Sequence, residues 1–300
     1  MAPASISMPA DLHLHTTASD GTDSVEERTS QAAEADLDAI SLTDHDAINS
    51  KLDERFFIDN KTGVTVITGA EIKCKAQDTG IEILGYFLDP ESDRIKDLLR
   101  KNSKLREERI NSMIDNLNRE LDYNLTQEEV FRHVEGNPGR PHIARALVEA
   151  EEVEDVKVEE DAFELYIGED CPAYVPAPKQ DAEKVVETVL DEGGVPVLAH
   201  PGRDIQEHEA DKIVAELVGY GLKGIEVRYS WDHKRKNSYE IHFGETLSED
   251  LADEYGLLRT GGSDCHGSGS DKYLIGSVRL SNSQVRNLAD LSDADGFHLP

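Results

Sequence analysis

Two histidines separated by one residue are the first residues of this chain whose type and spacing could form a functional site. They are His13 and His15, within the segment ADLHLHTTASDGT that begins at Ala10. Side chains of a β-strand alternate between its two faces, so both imidazoles would lie on one face and Leu12 and Leu14 on the other. We therefore predict a strand that buries its leucines and directs two rings to one point. An HxH pair alone is more often two ordinary hydrogen-bonding histidines.

Four more apolar, strand-like runs are followed, directly or after one residue, by His, Asp or Glu. These residues are Asp44, His45 and Asp46 after AISLT, Glu71 after VTVITGA, His200 after VPVLA, and Asp264 and His266 after LLRTGG. Strand ends meet at one mouth of a parallel barrel, so we expect these groups to gather there. The joint pattern predicts a metal site. Its histidines favour Zn²⁺, Mn²⁺ or Fe over Ca²⁺ or Mg²⁺, and the many candidate ligands predict at least two ions.

Alternating strand-like and helical patterns position these groups. Strands separated by helices predict a parallel sheet, and about seven such units predict closure into a barrel. Capping-box pairs mark two helix starts, at Ser24 with Glu27 and at Thr126 with Glu129. We predict an α/β barrel domain over residues 10–280, interrupted by a charged helical insertion over 91–170. A last strand is expected near YLIGSVRL, and residues 281–300 are predicted to form a polar C-terminal tail.

The charge of the chain is strongly negative. It has 62 acidic and 31 basic residues, a formal net charge of −31. A salt-rich cytosol would screen this repulsion, because the Debye length falls to about 3 Å near 1 M salt. We therefore predict a halophilic origin, with an acidic interaction surface as the alternative. Single acidic runs are typical of solvated helix faces.

Cysteine content and hydropathy indicate a cytoplasmic protein. Cys74, Cys171 and Cys265 are too few and too scattered for a disulfide framework. In SDCHG, the alternation of side chains along a strand places Asp264 and His266 on one face and Cys265 on the other. Cys265 is therefore predicted to pack in the interior and not to bind metal. No run of 18 apolar residues suggests a membrane span, and MAPASISMPA lacks the features of a signal peptide. No stable protein partner is implied.

Five segments in order resemble one known family. DLHLHTTASDGT, LTDHD, GAEI, LAHPGR and GGSDCHG resemble the PHP (polymerase and histidinol phosphatase) superfamily. GRPHIARAL and PAYVPAPK narrow the likeness to the branch of nucleoside 3′,5′-bisphosphate phosphatases and 5′-to-3′ exoribonucleases. The resemblance covers residues 10 to 280 and includes the helical insertion. It implies a distorted seven-stranded (β/α) barrel that holds two or three divalent ions (Mn, Zn or Fe).

The same resemblance implies which residues bind each ion. His13, His15, Glu71 and Asp264 would hold the first ion, Glu71 and His200 the second, and Asp20, His45 and His266 the third. One departure stands out, because members of the family that this chain resembles usually carry a histidine where GIEILGYF has Glu82. Glutamate can also ligate, but it changes the charge and softness of the second site and hence the choice and occupancy of its metal.

A centre of two or more cations suits phosphoester hydrolysis, because such ions activate water and neutralise phosphoryl charge. We predict a metal-dependent phosphoesterase in which a metal-bound hydroxide attacks phosphorus. Its predicted substrates are phosphate monoesters of nucleotides, nucleoside 3′,5′-bisphosphates first, and 5′-phosphorylated short RNA. Arginine forks suit phosphate, so Arg140 with neighbouring His142, and Arg203, are predicted substrate-binding residues.

His233, in SWDHKRK, is the candidate general acid, since the ordinary histidine pKa near 6.5 suits proton transfer. It could equally be a surface residue. Lys234, Arg235 and Lys236 beside it form a rare basic island that would face a nucleotide or simply start a helix.

Two alternatives remain open. One is a non-catalytic, metal-stabilised binding or scaffold domain, which Glu82 alone favours. The other is an amidohydrolase, which also begins with HxH on a barrel strand, although Asp20 and Glu71 fit a phosphoesterase better. A serine nucleophile and ATP binding are not indicated, because the chain has neither a GxSxG elbow nor the GK[ST] ending of a P-loop.

Overall fold

The structure is a computed structural model that describes residues 10–121, 123–132, 134, 136–150, 153–176, 179–230, 241–270, 272 and 274–299. In this part of the chain, nine strands form one sheet. They are β1 (Ala10–Leu14), β2 (Ala39–Leu42), β3 (Phe56–Ile58), β4 (Thr65–Ala76), β5 (Thr79–Tyr86), β6 (Gln180–Asp181), β7 (Val195–Leu198), β8 (Gly224–Arg228) and β9 (Leu258–Gly261).

The strands follow the order β1-β2-β4-β5-β7-β8-β9, with β3 and β6 pairing outside this path on β4. The two ends of the path meet, because the His15 backbone N–H donates to the Cys265 carbonyl at 3.0 Å. Arg28 is fully buried at this seam, where its guanidinium donates to the carbonyls of His15 and Cys265. The predicted α/β barrel is confirmed as a nearly closed sheet. Cys265 packs beside Leu14 in an apolar cluster, as predicted.

Two strands depart from the predicted parallel sheet. The short β3 runs antiparallel to β4. β5 runs antiparallel to both β4 and β7. Only Gln77 and Asp78 separate β4 from β5, and Gln77 takes a left-handed φ of 53°. A two-residue connection forms a hairpin and leaves no room for the crossover that a parallel neighbour needs. The barrel is therefore mixed.

Ten α-helices surround the sheet or extend from it within the described residues. They are α1 (Val25–Glu34), α2 (Asp93–Glu120), α3 (Gln127–Phe131), α4 (Arg140–Glu149), α5 (Glu159–Ala162), α6 (Ala182–Asp191), α7 (Pro201–Asp204), α8 (Glu207–Tyr220), α9 (Glu245–Tyr255) and α10 (Asn282–Ala289); a π-helical turn, Phe163–Ile167, follows α5. Both predicted capping boxes are present, at the starts of α1 and α3. No helix among the described residues is both long enough and apolar enough to span a bilayer.

The two leucines of β1 lie in different apolar clusters, contrary to the prediction that they share one face. Leu12 packs with Ile67 and Val197, whereas Leu14 packs with Ile40. The pairing of β1 with β2 shifts register within this segment, so strict alternation does not hold there.

Helix α2 belongs to two cores. Its first half packs Ile95 and Leu98 into the main cluster between the sheet and the outer helices. Its second half packs Met113 and Leu117 into a separate cluster with Ile143 and other residues of α4. The segment that the sequence predicts as a helical insertion therefore has an apolar core of its own, joined to the barrel through one continuous helix.

The C-terminal segment differs from the polar tail that the sequence predicts. Val285 and Leu288 of α10 are fully buried against Leu12. A helix with polar residues outside and an apolar stripe inside accounts for the misleading composition. The strand predicted near YLIGSVRL is reduced, among the residues described there, to a single antiparallel bridge between Leu280 and Ala10.

Candidate metal centre

The mouth of the barrel gathers imidazole and carboxylate groups whose ligand atoms lie within 4.8 Å of one another. The groups overlap: His15, Asp20, His45 and His266; His13, His15 and Asp264; His13, Glu71 and His200; His45, Glu71 and Glu82; and Glu82, His200 and Asp204. Every metal ligand predicted from the sequence lies in one of these groups. Asp204, on α7, was not predicted.

Glu71 lies at the middle of the centre, on the long strand β4. Its Oε1 lies 2.7 Å from His200 Nε2 and 3.4 Å from His13 Nε2. Its Oε2 lies 2.8 Å from His45 Nδ1 and 3.5 Å from His15 Nε2. Each carboxylate oxygen is therefore faced by two imidazole nitrogens, an arrangement that suits a carboxylate bridging two ions.

Asp264 follows β9 and takes a left-handed φ of 54°, a conformation that aspartate tolerates better than most residues. Its Oδ1 lies 3.2 Å from His15 Nε2 and 3.7 Å from His13 Nε2. Its Oδ2 accepts a hydrogen bond from Tyr229 Oη at 2.7 Å and an ion pair from Lys272. The two partners on Oδ2 orient the carboxylate so that Oδ1 faces the histidines.

Asp20 forms a third set with His266 and His45. Its Oδ1 lies 3.4 Å from His266 Nε2, and its Oδ2 lies 3.8 Å from His45 Nε2. The His266 ring stacks on His15 with the ring centroids 4.1 Å apart. The set of Asp20, His45 and His266 is therefore in direct contact with His15.

Several polar atoms of the centre are buried without a hydrogen bond. Among the described residues these include His13 Nε2, His15 Nε2, Asp20 Oδ1, His45 Nδ1 and Glu71 Oε2. Buried polar atoms in proteins are nearly always hydrogen-bonded, so a convergent set of exceptions calls for a ligand. Imidazole nitrogens and carboxylate oxygens together are donors suited to Zn²⁺, Mn²⁺ or Fe²⁺. The residues present therefore fit divalent metal ions.

Burial and neighbouring charges shift the pKa values of the centre in both directions. Burial, followed by the positive potential of His266 and His45, lowers the pKa of His15 to about 3, which favours the neutral ring that ligates metals. Burial alone would raise the pKa of Glu71, but His45 and His13 outweigh it and hold that pKa well below its ordinary value. Burial and Arg203 disfavour a charged His200, yet Asp204 and Glu71 raise its pKa to about 9.

Glu82 is held by two cations. Lys73 Nζ donates to its Oε1 at 3.0 Å, and Arg203 donates to its Oε2. The same carboxylate lies 3.5 Å from His200 Nε2. Burial and neighbouring Glu71 raise its pKa, but Lys73 and Arg203 outweigh them and the pKa is lowered. Glu82 is thus ionised and paired.

The predicted substrate-binding residues lie in two places. Arg203 is at the centre itself, where it pairs with Glu82 and donates to Asp204 Oδ1 at 3.1 Å. Arg140 starts α4, and its guanidinium lies 5.5 Å from the centroid of the Phe163 ring. His142 is buried and caps the same helix, because its Nδ1 accepts the Gly139 N–H at 2.9 Å.

The start of α4 lies close to the centre, since a side chain added at Gly139 would lie 3.5 Å from Asp20 Oδ2. Neither Arg140 nor His142 belongs to a metal-binding group. His233 and the basic island Lys234, Arg235 and Lys236 lie outside the described residues.

Two strand-end acids support the ligands instead of joining them. Asp44 accepts hydrogen bonds from the Thr16 N–H at 2.7 Å and from Ser19 Oγ at 2.7 Å, which holds the loop between His15 and Asp20. These contacts explain why a buried carboxylate is tolerated there.

Asp46 ties α2 to the centre. Its carboxylate accepts from Asn102 Nδ2 at 2.6 Å and from Arg106, both on α2. Asn137 Nδ2 donates to the backbone carbonyls of His45 and Asp46 at 2.9 and 2.8 Å. The helical segment is therefore anchored next to a candidate ligand.

Sequence reasoning also missed Glu226, a fully buried acid on β8 beside His13 and His200. The sequence feature that could have identified it is an acid inside the apolar run GIEVR, because a strand covered by helices is otherwise hydrophobic.

Comparisons with known proteins point the same way as this geometry. The model of the PHP domain family matches residues 11–169. A 5′-3′ exoribonuclease from Haemophilus influenzae is 31% identical over 218 residues, 72% of this chain and 78% of that protein. A 3′,5′-nucleoside bisphosphate phosphatase from Chromobacterium violaceum is 28% identical over 89% of this chain and 90% of its own length. The solved structure of a candidate metal-dependent phosphoesterase from Bifidobacterium adolescentis superposes with a TM-score of 0.79, at 26% identity, covering 95% of this chain and 97% of that one.

Proposed function

We propose that this chain, which belongs to the PHP domain family of metal-dependent phosphoesterases, hydrolyses phosphate monoesters of nucleotides, with nucleoside 3′,5′-bisphosphates as preferred substrates. The observation that carries the proposal is the convergence of unpartnered, buried imidazole and carboxylate atoms around Glu71. The bisphosphate is preferred because similarity to the phosphatase extends over 89% of the chain. Hydrolysis of 5′-phosphorylated short RNA is the second candidate, supported by the likeness to the exoribonuclease.

The proposed ligands divide into three sets. His13, His15, Glu71 and Asp264 would hold one ion, Glu71, Glu82 and His200 a second, and Asp20, His45 and His266 a third. Divalent ions at such a centre lower the pKa of a bound water and neutralise charge on phosphoryl oxygens. Mn²⁺, Zn²⁺ and Fe²⁺ are the candidates.

The protein groups around the ligands would bind and orient the substrate. Arg140 lies on the helix that starts beside Asp20, so it is the stronger candidate for a phosphate fork. His142 supports it by capping that helix. Arg203 is the second candidate, although a phosphate there would compete with Glu82 and Asp204 for its guanidinium. His233 remains the proposed proton donor to the leaving oxygen.

The cellular setting is also proposed from composition. The excess of acidic residues supports a cytoplasm rich in salt, where the surface charge is screened. Assays therefore belong at high KCl.

The test is a substrate panel after chelation and metal addition. Adenosine 3′,5′-bisphosphate, mononucleotides, cyclic phosphates, 5′-phosphorylated oligoribonucleotides and a cyclic amide would be incubated with Mn²⁺, Zn²⁺ or Fe²⁺ in turn. We expect Mn²⁺ or Zn²⁺ to restore phosphate release from the bisphosphate. His15→Ala should abolish it, while His208→Ala, on the exposed face of α8, should not.

A protein that turns over no phosphate ester with any metal would contradict the proposal. If metal removal then still lowered the melting temperature, the scaffold reading would replace it, with the paired Glu82 as its structural basis. Cleavage of the amide alone would identify an amidohydrolase.

A further inference from the structure

Glu226 is a fully buried carboxylate in the middle of β8. Its neighbours Ile225 and Val227 point the other way, into the main apolar cluster. A carboxylate without solvent is costly unless its oxygens accept hydrogen bonds, so its contacts should account for its presence.

Both oxygens of Glu226 contact histidines of the centre. Oε1 lies 3.2 Å from His13 Nδ1, and Oε2 lies 3.4 Å from the same nitrogen. Oε2 also accepts the backbone N–H of His200 at 2.8 Å. One carboxylate therefore holds the ring of His13 and the backbone of His200, whose rings stack with centroids 5.6 Å apart.

The contact with His13 decides which ring nitrogen carries hydrogen. A carboxylate can only accept, so Nδ1 must donate and Nε2 keeps its lone pair in the neutral ring. Nε2 is the nitrogen that faces Glu71 and Asp264, and it is buried without a hydrogen bond. The ring is thus presented in the one tautomer that can ligate an ion at the centre.

We propose that Glu226 is a positioning residue of the metal centre, which fixes the Nδ1–H tautomer of His13 and the placement of His200, the two histidines whose Nε2 atoms face Oε1 of Glu71. This inference rests on the proposed function, because it assigns a role within the same site. Outer carboxylates that accept from ligating histidines typically contribute 10- to 100-fold to metal affinity.

The test compares Glu226→Gln with a matched control, Asp11→Asn. Asp11 is another fully buried acid of the barrel, but its carboxylate accepts the backbone N–H groups of Ser263, Gly276 and, at 3.4 Å, His13, and none of these hydrogen bonds involves an imidazole ring. Mn²⁺ and Zn²⁺ affinity would be measured by calorimetry on each chelated protein. We expect Glu226→Gln to lose about 10- to 100-fold in affinity and Asp11→Asn to lose at most a few-fold.

A second readout does not depend on metal. Nitrogen NMR of chelated, ¹⁵N-histidine-labelled protein reports the tautomer of each neutral ring. It would be recorded at alkaline pH, because burial is outweighed by Glu226 and Glu71, which raise the pKa of His13 well above its ordinary value. We expect His13 to be Nδ1–H in the parent protein and in Asp11→Asn, and to gain the Nε2–H form in Glu226→Gln, whose amide can donate to Nδ1. If Glu226→Gln does not fold, Glu226→Asp provides the comparison: the shorter carboxylate should keep the tautomer and lose affinity by a smaller factor.

Unchanged affinity together with an unchanged His13 tautomer in Glu226→Gln would overturn the inference. A parent protein that binds no metal would overturn both this inference and the proposed function. A parent protein that binds metal tightly, loses affinity in Glu226→Gln and still hydrolyses no ester would overturn the proposed function alone.

Discussion

The two sides of the metal centre differ in ligand chemistry. One side, the imidazole side, consists of His15, Asp20, His45 and His266. The other, the carboxylate side, consists of Glu82, His200 and Asp204.

The two sides also differ in fixed charge. Lys73 and Arg203 pair with Glu82 on the carboxylate side. An ion entering there must share the oxygens of Glu82 with cations that already hold them, whereas the Asp20 carboxylate on the imidazole side faces His45 and His266. We infer that one barrel mouth offers a softer, open site and a harder, charge-balanced site.

Glu71 connects the two sides, so its replacement should have the largest effect. In Glu71→Gln one bridging oxygen becomes an amide nitrogen that cannot ligate, and we expect hydrolysis to fall by more than about 100-fold. Bound metal should fall on both sides together. Steady-state rates and elemental analysis of the purified variant measure this; loss of metal from one side only would show that Glu71 does not bridge.

Glu82→His would replace a carboxylate on the carboxylate side with an imidazole and so make the ligands of the two sides more alike. A nitrogen ligand suits Zn²⁺ better than a carboxylate does, so we expect the ratio of Zn²⁺ to Mn²⁺ affinity to rise roughly tenfold. Competition calorimetry on the chelated variant measures the ratio. An unchanged ratio would mean that Glu82 does not contact the ion.

Arg203→Gln would sharpen the comparison by removing one fixed cation. Glu82 is almost fully buried, so loss of its partner should lower the free energy of unfolding of the metal-free protein by about 1–3 kcal/mol. Saturating Mn²⁺ should recover more stability in this variant than in the parent protein, because the released carboxylate can ligate. Urea unfolding with and without Mn²⁺ tests this. Equal stabilisation by Mn²⁺ in both proteins would contradict it.

One histidine from each side, His15 and His200, should respond oppositely to pH when the metal is removed. The folded-state pKa of His15, about 3, lies below the ordinary 6.5, so stability should fall as the pH drops from 6.5 toward 3. The folded-state pKa of His200, about 9, lies above 6.5, so its contribution is complete below pH 6.5 and is lost as the pH rises through 9.

Each slope should amount to about 1 kcal/mol per pH unit within its window. Urea unfolding of chelated protein between pH 4 and pH 10 measures both slopes. His15→Gln should reduce the acid-side loss. His200→Gln should reduce the alkaline loss, of which His13 and His45, whose pKa values are also raised, keep a share. If the acid-side loss is unchanged in His15→Gln, His15 is not responsible for it. If the alkaline loss is unchanged in His200→Gln, His200 is not responsible for that loss.

Much of the centre could be predicted because its ligands follow short apolar strands. His13, His200 and Asp264 are recognisable from sequence since a strand end in a barrel determines where the next side chain goes. Their contacts could not be predicted in the same way. Glu226 is one acid in an apolar run, and its partners are 213 and 26 residues away in sequence.

Strand direction and register were less predictable than element type. The reversal of β5 follows from β4 continuing to Ala76, which leaves two residues for the turn. The β4 hydrophobic pattern alone does not indicate that length, because Lys73 and Lys75 interrupt it. The separation of Leu12 from Leu14 depends on a register shift that only strand pairing produces.

Helix α2, with one end in the barrel core and the other in the core of the helical segment, has a mechanical consequence. The helix is 28 residues long and is clamped near its midpoint to Asp46 through Asn102 and Arg106. These contacts fix the middle of the helix to Asp46, the residue that follows His45. A displacement of the far end of the helix would therefore be transmitted to Asp46 and to the backbone of the neighbouring candidate ligand His45.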